Sequence, residues 1–141
     1  MKNFIRNYIH CGLLGWCLEI LFTALHSFRK RDLRLSGKTS IWMFPIYGMA
    51  AFLSPISRML KKKNFIFRGL VYTGIIFVCE FVSGTLLCKK GLCPWNYECS
   101  RWNIGKVIRL DYTPFWFISG LLFERLLMEN ERLTPNDLQD L

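Results

Sequence analysis

Four apolar blocks, each close to ~20 residues, constrain this chain more than any other feature. They fall at about 8–28, 41–60, 65–87 and 112–127, and most of the charges stand between or outside them. A helix needs ~20 residues to cross a bilayer. Lipid offers backbone groups no partner, so a spanning segment of this kind is helical. The two-residue alternation of a barrel strand is absent. Glu19 lies inside the first block and Glu80 inside the third, while Glu124 and Arg125 stand near the end of the fourth. The first block is too long, and too polar at Glu19, for a cleaved signal peptide, and it is expected to remain as a span. Pro45, near the start of the second block, is expected to mark a helix start or a kink.

The composition agrees. Of the 141 residues, 52% are hydrophobic and 21% charged, which excludes a disordered chain, a coiled coil and a small disulfide scaffold. The net charge of +9 could suggest nucleic acid. The cations instead sit at block ends, in Arg29-Lys30-Arg31, Lys61-Lys62-Lys63 and Lys89-Lys90, where they would anchor spans among head groups. Membrane lipid is therefore the expected partner, and nucleic acid is not.

The expected fold is an all-α integral membrane protein. About four transmembrane helices form a small bundle, with a packed aromatic loop between helices 3 and 4. Residues 1–128 make one four-span domain, and 129–141 a short polar tail. Four spans put both termini on one side. The basic residues divide almost evenly between the two sides, so the positive-inside rule does not choose. The lysine triplet in a tight loop and the charged tail favour cytoplasmic termini.

Helical spacing sorts the polar residues inside the blocks. Gly12, Gly15, Glu19, Thr23 and His26 form one stripe on the first helix. Its small residues would let another helix approach closely, with Glu19 aimed at that neighbour. Thr73, Glu80 and Gly84 share a face of the third helix, and Tyr47, Ala51, Ser54 and Arg58 a face of the second. On the 1.5 Å helical rise, Glu19 and Glu80 fall roughly 3 Å and 6 Å from mid-membrane towards the face of the aromatic loop. Glu124 falls roughly 7 Å towards the other face. A carboxylate at that depth costs about 2.5–3.5 kcal/mol, and it points either to a cation, proton or polar-substrate site or to a protonated packing bond. For Glu124, beside Arg125, an interfacial or ion-paired role has equal claim.

The loop reads KKGLCPWNYECSRWNIGKVIRLD from Lys89 to Asp111. It is too aromatic for a solvated linker, so it is expected to cap the bundle or lie at the interface. Six cysteines form no CxxC pair. Cys11, Cys17 and Cys79 are expected as small apolar residues. Cys88, Cys93 and Cys99 would permit one disulfide in an oxidising compartment. No fourth ligand completes a zinc site, and His10 and His26 lie too far apart along one helix to share an ion. No metal or cofactor is expected. Gly37-Lys38-Thr39-Ser40 lacks the upstream glycine of a phosphate-binding loop, so any ATPase would be a separate subunit.

The order of several segments resembles the transmembrane protein 229 family and its bacterial relatives, the putative ABC-transporter type IV or CmpB-like membrane proteins. The segments are His10-Cys11-Gly12 with Gly15-Trp16-x-x-Glu19, Gly37-x-Thr39-Ser40-x-Trp42, Ile46-Tyr47-Gly48, Glu80-Phe81-x-x-Gly84, Cys93-Pro94-Trp95-Asn96-Tyr97, Asn103-Ile104-Gly105, Asp111-Tyr112 with Pro114-x-Trp116, and Gly120-x-x-x-Glu124. The resemblance covers about 8–127 and implies a small multi-span membrane protein. It departs at Asn96, where the family commonly has an acid.

The expected function is a transport component or ligand-binding module. Glu19, Glu80 and Tyr47 would form a polar pocket capped by Trp95, Asn96, Tyr97 and Asn103, with Arg101 and Glu124 as further candidates. Carboxylates beside aromatics suit a cationic or amphipathic ligand. Two rivals stand beside it. One is an intramembrane enzyme acting on a lipid or isoprenoid phosphate, with Glu19 or Glu80 as acid/base and Arg101 and Arg109 holding phosphate. The other is a non-catalytic scaffold. Four short spans enclose little volume, so a homo-oligomer or a partner membrane subunit is expected.

Overall fold

Helices form over the four apolar blocks, and prolines decide how continuous they are. The computed structural model describes residues 2–133, and 72% of these are helical. The first and third blocks give α1 (Lys2–Arg29) and α4 (Phe65–Lys89). The second is cut into α2 (Met43–Gly48) and α3 (Leu53–Leu60) by a 3-10 turn at Met49–Phe52. Pro55 explains the cut: it has no N–H for the Ala51 carbonyl, and its ring crowds that carbonyl. Pro45 sits in the first turn of α2, where the N–H has no helical partner in any case. α5 (Thr113–Leu133) likewise opens with Pro114 as its second residue. Asn64 caps α4, its side chain accepting from the Ile66 N–H at 3.3 Å.

Among the described residues, two helices are long and apolar enough to cross a membrane, α1 and α4. Of the four blocks expected as spans, these two qualify as single helices. The second block is divided into pieces of 6 and 8 residues. α5 carries Glu124, Arg125, Glu129, Glu131 and Arg132 in its C-terminal half. It continues to Leu133, through part of the expected tail; residues 134–141 of that tail lie outside the described residues.

The described residues divide into two compact units, 2–54 with 125–133, and 55–124. In the first, the chain after α1 returns along the polar stripe of that helix. Ser27 donates to the Ser36 carbonyl at 3.1 Å, Thr23 to that of Lys38 at 3.1 Å, and the Trp16 indole to that of Ser40 at 3.1 Å. Thr39 donates to Glu19 at 2.7 Å. α2 follows, with Phe44 against Gly12 and Tyr47 against Gly15. Nearer the start of α1, Asn130 donates to Asn7 at 2.9 Å and pairs with His10 at 3.1 Å.

In the second unit Phe117 packs on Gly69 and Tyr72 on Gly120, so the early part of α4 meets residues 113–124 of α5 closely. α4 stops at a turn in which the Leu92 N–H reaches the Leu87 carbonyl and the Gly91 N–H the Cys88 carbonyl. Gly91 takes the left-handed conformation that this ending requires, at φ 67°. The loop then forms a short antiparallel hairpin, β1 (Asn103–Ile104) with β2 (Ile108–Arg109). Val107 and Ile108 are buried. Trp95 donates its indole N–H to the Val107 carbonyl at 3.0 Å, and both side chains lie against Gly84 of α4.

Candidate functional site

Thr73, Glu80 and Gly84 recur at helical spacing along α4, and all three are buried. Gly84 has no side chain, so Trp95 and Val107 come down onto the helix one turn beyond Glu80. This closes the loop over the carboxyl group. Glu80 is 8% exposed. Tyr97 from the loop and Trp116 from α5 reach its carboxyl group, while its Oε2 is buried without a hydrogen-bond partner. Buried polar atoms in native proteins are nearly always satisfied, so an orphaned carboxyl oxygen marks a place where a donor or a proton can be taken up.

Aromatic groups continue outward from Glu80. The Tyr97 and Tyr112 rings meet edge to face at 5.6 Å. Arg109 lies 4.5 Å from the centre of the Tyr112 ring and donates to the Tyr112 hydroxyl at 3.0 Å. The same guanidinium is forked onto Asp111, with Nε and Nη2 each 2.7 Å from a carboxylate oxygen. Arg109 holds the Asp111 carboxyl below the usual carboxylate range. On the hairpin, Lys106 does the same to Glu98 at 2.6 Å. Burial, and the neighbouring Cys88 thiol, push the Cys93 thiol up to about 11. Its Sγ donates to the Trp95 carbonyl at 3.0 Å.

The other expected site residues have different surroundings. Asn96 accepts from the Glu98 N–H at 2.9 Å, and Asn103 donates to the Ser100 carbonyl; both bonds shape the loop itself. Arg101 is exposed. Arg109 is already engaged by Asp111, a poor starting point for gripping phosphate. Glu124 is 4% exposed and belongs to a separate cluster, where Tyr72 donates to it at 2.8 Å and Arg68 pairs with it at 3.5 Å. Its ion partner is thus Arg68 on α4, not the adjacent Arg125. In the other unit, Glu19 accepts from Thr39, and Tyr47 packs one turn away on Gly15.

Sequence reasoning missed Trp116, Tyr112, Thr39 and Arg68 as partners of carboxylates. The first three lie in segments that carry the family resemblance, which was the available signal. Arg68 stands in the first turn of α4, and nothing in the sequence sets its register against Glu124. Among the described residues no group of three or more His, Cys, Asp or Glu could hold a metal ion, and the six cysteines are free thiols.

The chain belongs to the family described as Putative ABC-transporter type IV, which it matches over residues 6–135. The family and the two helices of membrane-crossing length agree on a membrane protein in a transporter context. No solved structure matches the chain.

Proposed function

We propose that the chain is a four-span membrane protein, a transport component or ligand-binding module, with Glu80 at the centre of a site for a cationic, amphipathic ligand. One observation carries this reading: a buried carboxyl with an orphaned oxygen, ringed by Tyr97, Trp116 and Tyr112. A carboxylate supplies the ionic contact, and aromatic faces supply cation–π and apolar contact. Trp95, Asn96 and Asn103 set the course of the loop that brings Tyr97 in. Glu19 and Glu124 already have partners and take structural parts in this reading.

The four spans are α1, the stretch 43–60, α4 and α5, with both termini cytoplasmic. The segments that liken the chain to the transmembrane protein 229 family include Glu80, Trp95 and Tyr97, and that family's multi-span form fits the same reading. Four short spans enclose little volume, so the working unit is a homo-oligomer or includes a partner membrane subunit, with any ATPase separate.

Glu80→Gln tests the site. Glutamine keeps the shape and the hydrogen bonding while removing the charge. The purified variant is expected to melt near wild type and to lose binding of tetraphenylphosphonium, a lipophilic cation, measured by equilibrium dialysis. Undiminished binding by a folded Glu80→Gln protein overturns the pocket. Release of the wild type from membranes by carbonate overturns the spanning reading.

A further inference from the structure

No acidic residue stands between Asp32 and Glu80. Within that stretch, the turn joining α3 to α4 places Lys61, Lys62 and Lys63 side by side, all exposed, with the Lys63 N–H closing onto the Leu60 carbonyl at 2.8 Å. Glu124, the acid that pairs with the first turns of α4, is buried and held by Arg68 and Tyr72. The hairpin treats its cations differently, since Lys106 and Arg109 each have a carboxylate within 2.7 Å. Among the described residues, no carboxylate pairs with the lysine triplet.

The flanks of the turn are apolar and open. Met59 is 81% exposed, and Phe65, Ile66 and Phe67 are each at least 50% exposed. Exposed apolar groups in such a run mark a contact surface. Three adjacent cations between apolar shoulders, at the end of a helix long enough to cross a membrane, match the boundary of an anionic leaflet. Head groups would neutralise the ammonium groups, and the acyl region would take Met59 and the phenylalanines. A free anion could answer only the charge.

We propose that the Lys61–Lys63 turn binds anionic phospholipid head groups and fixes this end of α4 in the leaflet richer in them. The proposal rests on α4 as a span and is independent of the Glu80 pocket.

The full-length protein, stripped of lipid in an uncharged detergent, is titrated with phosphatidylglycerol while its thermal midpoint is followed and bound lipid is counted by native mass spectrometry. Wild type is expected to gain stability and retain the lipid. The Lys61→Gln/Lys62→Gln/Lys63→Gln protein is expected to bind about a hundredfold more weakly, roughly fivefold for each lysine. The Lys61→Arg/Lys62→Arg/Lys63→Arg protein keeps the charge and should bind like wild type, as should Lys89→Gln/Lys90→Gln at the other end of α4. Phosphatidylcholine and inorganic phosphate should produce no shift. Equal phosphatidylglycerol binding by the glutamine triple variant overturns the proposal. So does an equal loss in the Lys89/Lys90 variant, or a shift reproduced by inorganic phosphate alone. Glu80→Gln should leave lipid binding intact, so failure here is read separately from failure of the pocket.

Discussion

The ring of Tyr47 occupies the space where a side chain on Gly15 would begin. The contact joins α1 to α2 and leaves no room for even one methyl group. Gly15→Ala should therefore force the two helices apart, at a cost of about 1–3 kcal/mol. Gly74 on α4 is the control, because nothing lies within 4 Å of the position its Cβ would take. Gly74→Ala should be neutral or slightly stabilising, since alanine is the better helix former by up to about 1 kcal/mol. Thermal melts of the two purified variants check this; equal midpoints would show that the close approach is not there.

Glu124 should tolerate Tyr72→Phe better than Arg68→Gln. Losing the tyrosine hydroxyl removes one hydrogen bond, typically about 1 kcal/mol. Removing the guanidinium leaves a buried carboxylate without its cation, which costs about 3–5 kcal/mol when fully buried and less here because Arg68 is 22% exposed. The double variant Arg68→Gln/Glu124→Gln should recover part of the loss. Denaturation midpoints of the three proteins test the order, and additivity in the double variant would disprove the pairing.

Cys93 should react slowly. A thiol held up at about 11 by burial and by Cys88 is almost entirely protonated at pH 8, and only the thiolate is alkylated. Iodoacetamide should label Cys93 more slowly in the folded protein than in a short peptide of the same sequence. Peptide mass spectrometry over time measures both rates. Equal rates would mean that the turn after α4 does not shelter the thiol.

The hairpin should loosen only in acid. Glu98 and Asp111 are both held below their ordinary values, by Lys106 and Arg109 respectively. A depressed carboxylate contributes stability above its unfolded value, and the contribution fades as pH falls through the folded one. Hydrogen exchange at β1 and β2, corrected for the intrinsic pH dependence, should thus be flat at neutral pH and quicken below about pH 4. Both pairs are solvent-exposed, so Lys106→Ala should cost little stability and high salt should mimic it.

Much of this molecule was legible locally. Block length placed the four helical stretches, and the 3.6-residue period put Gly12, Gly15, Glu19 and Thr23 on one face, because both signals belong to the segment itself. What the face meets is a tertiary property. The spacing suggested another helix, and α2 meets Gly12 and Gly15, but Glu19 and Thr23 meet the chain's own return at Thr39 and Lys38. Arg68 and Glu124 are distant in sequence, and nothing in either segment sets their register. Asn96 and Asn103, expected as ligand groups, satisfy backbone partners in turns, as short amides commonly do. Pro55 was a signal in plain view: a proline inside an apolar block predicts a broken helix.

The return of residues 36–48 along α1 also bears on how the molecule is made. As α1 leaves the ribosome, Glu19 has no Thr39, and the notches at Gly12 and Gly15 lack the rings that fill them. That face closes only when the chain as far as Gly48 has emerged. On the four-span reading, α1 is therefore not a self-sufficient span to be released into lipid by itself. On that reading it and the residues that follow would make one insertion unit, and an arrest before Phe44 would strand a carboxyl and two open grooves against acyl chains.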